Sequence, residues 1–269
     1  MPPFLARSAR VEDHPLVARL FLDLEVEDPV PTEAAFAERM LARTLILEDE
    51  TAAPVGYAYW LPYGPMAHVG HVVVDRAARG RGAGRALLEA VRAEARAAGC
   101  TRWYLNVKQD NAPARRLYER MGFAVEHESW AMESTWSRLA ALPSVPEDAS
   151  GTETFCPKEE DDAAVAVSVG VDAPRIALLR ARPGVVLAAV REHGCVAGFA
   201  AFDPSFPGIY PLRVRHPVLL PVLLAALRPA AKEDRVLLVV EGDARLHQVL
   251  ASLGARVCHA LYRMGGSLE

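Results

Sequence analysis

An apolar strand that runs into a glycine-rich turn is the feature that most restricts how this chain folds. Residues 72–74 are three consecutive valines, and glycines follow at positions 80, 82 and 84. A turn without Cβ atoms lets backbone N–H groups converge on an anion, and a helix that begins there directs the positive end of its dipole at the same point. Arginines stand at positions 79, 81 and 85. The pattern predicts a strand, loop and helix that bind a phosphate-bearing ligand.

Two common phosphate-binding loops fit this turn poorly. A Walker loop needs Gly-Lys followed by Ser or Thr, whereas Gly84 is followed by Arg85 and Ala86. A dinucleotide-binding turn needs an acidic residue that closes the next strand, and the neutral Asn106 and Val107 stand there instead. Neither alternative accounts for the loop.

A second block lies one strand further along the chain, at residues 111–123. It holds Asn111, the pair Leu117-Tyr118 and the pair Gly122-Phe123. Together with Arg79, Gly82 and Gly84 of the first block, this segment closely resembles the Gcn5-related N-acetyltransferase (GNAT) family, whose acyl-CoA loop has the form Arg/Gln-x-x-Gly-x-Gly. The resemblance covers residues 4–137 in detail and most of the remainder as a degenerate echo. It implies acetyl-CoA as co-substrate and no metal.

The resemblance also implies which residues contact acetyl-CoA. The backbone of Val72 and Val74 is expected to bond the pantetheine arm, and the glycine loop is expected to hold the pyrophosphate. From the residues themselves, Asn111, Ala114 and Tyr118 share one helix face and would line the same cleft. The expected cofactor-binding residues are Val72, Val73, Val74, Arg79, Gly80, Arg81, Gly82, Ala83, Gly84, Arg85, Asn111 and Ala114.

In the family's mechanism, a free amine attacks the thioester directly and coenzyme A leaves as a thiolate. Tyr118 matches the family's usual acid, and a phenol can shield or protonate the departing sulfur. Protein-acetylating relatives carry a glutamate where this chain has Asn106, so acetylation of the ribosomal-protein type is not expected. His68 and His71 have a suitable intrinsic pKa for a general base, but their spacing places them on opposite strand faces unless a bulge intervenes.

The chain is expected to be a tandem of two such folds. A proline-rich, acidic stretch at residues 142–151 indicates a linker between a domain at 1–142 with the intact loop and a degenerate domain at 152–269. Each half is expected to be α/β (α+β), with a mixed, mostly antiparallel central sheet flanked by helices. In the second half, His216–Pro221 replaces the glycine loop and Leu250 replaces Tyr118.

Composition limits the partners. A net charge of −4 gives no general attraction to nucleic acid, four scattered cysteines indicate neither a metal site nor disulfides, and the absence of a long apolar run predicts a cytoplasmic protein that is not a membrane protein. The expected acceptor is a small-molecule or peptide amine, and the chain is expected to be a monomer or homodimer. Glu25, Glu27 and Asp28 either face a cationic acceptor or form a solvated loop. The alternative function is a non-catalytic acyl-CoA sensor or scaffold.

Overall fold

The computed structural model describes residues 4–26, 28–142 and 151–269, which form two compact units. The N-terminal unit comprises residues up to 126 together with residues 263–269, and the C-terminal unit comprises residues 127–262. Most of the predicted linker, residues 143–150, lies outside the described residues. The compact units differ from the predicted sequence units 1–142 and 152–269 at their ends: residues from 127 onwards belong to the C-terminal unit, and residues 263–269 belong to the N-terminal unit. The division into sequence units stays a prediction.

The N-terminal unit is built on a sheet in which each strand lies beside the next strand along the chain. The first four strands pair antiparallel, whereas the fourth and fifth pair parallel. The last strand of the chain lies beside the fifth strand, and its residues 263–267 belong to this unit. The strands are β1 (Phe4–Ser8), β2 (Thr44–Asp49), β3 (Pro54–Tyr63), β4 (Met66–Val74) and β5 (Arg102–Lys108).

Helices cover both faces of this sheet because their apolar residues recur at helical spacing. On one face, Val17 and Leu20 of the first helix pack with Phe36, Tyr57 and Val73. On the other, the third helix buries Leu87, Leu88 and Val91. The helices are α1 (His14–Phe21), α2 (Glu33–Ala35, continued by a π-helical turn at Phe36–Met40), α3 (Ala83–Ala97) and α4 (Ala112–Arg120).

The C-terminal unit has the same kind of architecture, in the strand order β6, β11, β10, β9, β8, β7. Only β10 and β11 pair parallel among these neighbours. The predicted fold class, a mixed and mostly antiparallel sheet flanked by helices in each half, is confirmed. The elements are β6 (Ala124–Thr135), α5 (Trp136–Leu139), β7 (Thr152–Phe155), α6 (Asp162–Val169), α7 (Ala173–Ala181), β8 (Val186–Glu192), β9 (Cys195–Asp203), β10 (Gly208–Val214), α8 (Leu220–Leu227), β11 (Arg235–Glu241), α9 (Ala244–Ser252) and β12 (Arg256–Ser267).

The C-terminal residues are part of the N-terminal unit. The side chain of Leu268 is 1% exposed. Its amide donates to the carbonyl of Thr101 at 2.9 Å, and Arg96 of α3 donates to its carbonyl oxygen. Strand β6 is continuous and contributes residues to both units.

We expect Leu268→Ala to lower the free energy of unfolding of the N-terminal unit by about 2–4 kcal/mol, the usual cost of truncating a buried leucine. The measurement is urea denaturation of the full-length protein, followed by fluorescence. Leu22→Ala is the matched control because Leu22 is 64% exposed, and it should change stability by less than about 0.5 kcal/mol. Equal effects of the two variants would contradict the assignment of residues 263–269 to this unit.

Candidate functional site

Strands β4 and β5 separate after a short paired stretch. Their parallel register covers only Met66 with Arg102, Ala67 with Trp103 and His68 with Tyr104. Beyond these pairs β4 continues to Val74 and β5 to Lys108. Backbone groups that face a gap in a sheet need another partner. The diverging strands thus form a cleft that an extended ligand can enter.

The backbone of Val72 and Val74 faces this cleft. The amide of Asp75 donates to Val55 of β3 at 2.8 Å. Because successive residues of an antiparallel strand alternate between its two edges, the amides of Val72 and Val74 are directed away from β3. The side chain of Val73 packs in the core, and its own amide and carbonyl are directed towards β3, so Val73 offers no polar group to the cleft.

The glycine loop lies between β4 and α3. Gly80 and Gly82 have φ angles of +77° and +91°, which side chains of L-residues rarely adopt, and a Cβ added to either would meet no atom within 4 Å. The space beside both residues is therefore open to a ligand. Gly84 is needed for a different reason, because its Cβ would lie 2.9 Å from Leu117 of α4.

The first turn of α3 adds free donors to the loop. Its first intrahelical hydrogen bond runs from the amide of Ala86 to Gly82, which leaves the amides of Ala83, Gly84 and Arg85 without an intrahelical acceptor. Arg81 and Arg85 form exposed ion pairs, with Glu50 at 3.9 Å and Glu89 at 2.8 Å, and the Arg81 guanidinium also lies 5.8 Å from the centroid of the Phe4 ring. Such pairs contribute little to stability, so both guanidinium groups can turn to an anion.

Arg79 fixes the loop instead of extending from it. Its Nε donates to the carbonyl of Val74 at 2.9 Å, and its Nη2 donates to Asp23 at 2.7 Å. Asp23 also accepts from Arg76 at 3.3 Å. Sequence reasoning missed Asp23, since no local pattern connects it with arginines more than fifty residues away.

Asn111 lies at the start of helix α4, and Tyr118 lies within the helix. Asn111 Oδ1 caps the helix by accepting from the amide of Ala114 at 3.1 Å. Tyr118 is 8% exposed and packs edge-on against Phe123, with 5.9 Å between ring centroids. Burial raises the pKa of the Tyr118 phenol to about 12, so this side chain is a neutral hydrogen-bond donor at any physiological pH.

A bulge in β4 places His68 and His71 on the same face of the sheet. Tyr59 pairs with His71 and Trp60 pairs with Val69, so Gly70 is an extra residue that shifts the alternation by one. The sequence predicted opposite faces unless a bulge occurred, and one does. His68 is stacked on Tyr104 at a centroid distance of 4.6 Å.

His71 lies among aromatic rings. Its ring contacts Phe21 of α1 and Tyr59 of β3, at centroid distances of 5.4 and 5.3 Å. Tyr57 Oη lies 3.3 Å from Nδ1 of His71. Burial lowers the pKa of His71 to about 4, because the charged imidazolium loses its hydration there. His71 is therefore neutral at pH 7.

The C-terminal unit has a different arrangement at the corresponding strands. Strands β10 and β11 also pair over only two residues. However, Glu241 at the end of β11 accepts from Tyr210 at 2.8 Å and from Arg213, so side chains of the protein connect the two strands. Leu250, opposite Tyr118 by helix position, is fully buried. In this half, hydrogen bonds between side chains therefore link the two strands, and a leucine stands at the position of Tyr118.

Two further observations concern partners. Within the described ranges, no cluster of three or more His, Cys, Asp or Glu side chains is placed to hold a metal ion. Among the helices of those same ranges, none combines the length and the hydrophobicity that crossing a membrane requires. Of the acidic residues predicted near an acceptor, Glu27 lies outside the described residues.

Comparisons with known proteins agree with this geometry. Residues 12–123 match the acetyltransferase (GNAT) family. A GCN5-related N-acetyltransferase from Sphaerobacter thermophilus is 17% identical, with a TM-score of 0.70 over 100% of this chain and 97% of that one. A putative acetyltransferase from Pyrococcus horikoshii is 16% identical, with a TM-score of 0.69 over 99% and 90%.

A tandem GNAT protein from the clavulanic acid biosynthesis pathway is 19% identical, with a TM-score of 0.61 over 99% of both chains. These identities are low, so the likenesses describe the fold. A search of curated proteins found no match. The family match over residues 12–123 contains both sequence blocks, the loop at 79–84 and the block at 111–123. Residues 12–123 therefore carry an acyltransferase domain of the GNAT family.

Proposed function

We propose that the N-terminal unit binds acetyl-CoA and transfers its acetyl group to a primary amine by direct attack. The observation that carries the proposal is the cleft between β4 and β5, which ends at a glycine loop and a helix N-terminus with free amides. A thioester arm fits between the strands, and a pyrophosphate fits the open space beside Gly80 and Gly82. Acetyl-CoA supplies an activated acyl carbon.

Tyr118 acts in this proposal as a hydrogen-bond donor to the leaving sulfur. The new C–N bond forms as the C–S bond breaks, and the electron pair of that bond leaves with the sulfur. With a phenol pKa of about 12 against about 8.5 for a thiol, complete proton transfer from Tyr118 would be unfavourable by about 5 kcal/mol. Tyr118 therefore stabilises the thiolate and is not consumed as an acid.

His71 is our candidate for the group that removes the proton from the attacking nitrogen. To accept a proton at Nε2, its Nδ1 must carry hydrogen and donate to the oxygen of Tyr57. Moving a proton to His71, with a pKa of about 4, from an alkylammonium of reference pKa about 10.4 costs roughly 9 kcal/mol. His71 is thus suited to take a proton after the neutral amine has attacked.

The test is calorimetric titration of the full-length protein with acetyl-CoA, followed by measurement of thiol release over a panel of primary amines. We expect saturable binding with one site per chain and thiol release that depends on both protein and amine. Absence of binding would contradict the site. Tight binding without thiol release from any amine would instead support an acyl-CoA sensor.

A further inference from the structure

The carboxamide of Asn106 contains a buried oxygen with no partner. Asn106 lies in β5, beyond the point where this strand separates from β4. Its Oδ1 is shielded from solvent and accepts no hydrogen bond in the structure. A buried acceptor without a donor is costly in free energy. The oxygen is therefore placed to receive a donor that a ligand brings.

Asn106 and His71 lie on the same face of the sheet, on the two strands that border the cleft. Alternation along β5 places Asn106 with Tyr104, which is stacked on His68, and with Lys108. The bulge at Gly70 puts His71 on the face of His68. This face is the one that α1 covers, since His71 contacts Phe21.

Two described carboxylates in the segment that follows α1 are already paired. Asp23 accepts from Arg76 and Arg79, and Glu25 lies 3.8 Å from Lys108, which also donates to the carbonyl of Glu25. The surroundings of His71 are instead the rings of Phe21, Tyr57 and Tyr59. Such surroundings suit an apolar group, and these rings offer no carboxylate that could pair with a cationic group.

From this arrangement we infer that Oδ1 of Asn106 accepts a hydrogen bond from the N–H of the acceptor, and that the site selects a weakly basic amine attached to an aromatic group. The inference rests on the proposed function. An amine of this kind arrives neutral at pH 7, so no carboxylate is needed to deprotonate it before attack. The low pKa of His71 is compatible with that requirement.

The experiment measures thiol release at pH 7.5 with three amines: aniline, benzylamine and cadaverine. Aniline and benzylamine share a ring, but only aniline is weakly basic, and cadaverine is cationic without a ring. We expect kcat/KM for aniline to exceed that for the other two at least tenfold. Asn106→Leu should raise the KM for aniline about tenfold and leave the Kd for acetyl-CoA within twofold.

The isosteric variant Asn106→Asp separates loss of the contact from misfolding. Because this variant introduces a carboxylate, it should prefer benzylamine more than the wild type does, and its Kd for acetyl-CoA should be unchanged. An unchanged KM in Asn106→Leu, weaker acetyl-CoA binding by that variant, or a wild-type preference for cadaverine would overturn the inference and leave the proposed function intact. Absence of thiol release from every amine would contradict the proposed function itself.

Discussion

Gly82→Glu should weaken acetyl-CoA binding at least 100-fold, which is equivalent to about 3 kcal/mol. The space beside Gly82 is open, so a side chain added there would occupy the place proposed for the pyrophosphate. A glutamate would also place a negative charge at the N-terminus of α3. There it would repel the phosphates and compete with them for the positive end of the helix dipole. Calorimetric titration with acetyl-CoA measures the effect directly.

The matched control is Gly99→Glu. Gly99 has a φ of +82° and open space around it, as Gly82 does, but it follows the other end of α3. Both variants pay a similar backbone strain of about 1–3 kcal/mol, which thermal unfolding will show. Only Gly82→Glu should lose acetyl-CoA binding. Equal affinity of the two variants would exclude the loop as the pyrophosphate site.

Tyr118→Phe should lower kcat about 100-fold and leave the Kd for acetyl-CoA within twofold. A single donor to charge that develops at the leaving atom contributes about 10²–10³-fold in rate. The phenylalanine ring keeps the contact with Phe123, so the packing of α4 is retained. Steady-state thiol release with an accepted amine gives kcat, and calorimetry gives the Kd.

The pH dependence offers a second readout. Because burial raises the pKa of Tyr118 to about 12, the wild type should show no loss of activity from Tyr118 ionisation below about pH 11.

The control for Tyr118→Phe is Tyr210→Phe, since Tyr210 lies in the C-terminal unit and donates to Glu241. A kcat for Tyr118→Phe equal to that of Tyr210→Phe would remove Tyr118 from the mechanism.

Much of the N-terminal unit could be predicted because its features depend on neighbours in the chain. The valines at 72–74 and the glycines that follow them predicted a strand, a loop and a helix, and the structure has the end of β4, the glycine loop and α3 at these positions. The block at residues 111–123 was predicted to contain a helix, and α4 lies there, capped by Asn111. The glycines at 80 and 82 were predicted to form the loop, and their positive φ angles agree with the turn that they form.

The chemistry of the histidines could not be predicted in this way. Their spacing left the strand face open, and the bulge at Gly70 became evident only from the pairing with β3. The lowered pKa of His71 depends on burial among rings of α1 and β3. The unpartnered oxygen of Asn106 depends likewise on what surrounds β5.

The amino-acid sequence by itself determined the order of strands and helices, the anion-binding loop and the family, because these follow from residue types within one or two turns of chain. Tertiary structure alone decided that β4 and β5 diverge, that Asp23 holds Arg79 across 56 residues, and that Leu268 bonds to Arg96 across 172 residues. Such contacts join segments that carry no shared local pattern. They form only when the packed sheet brings those segments together.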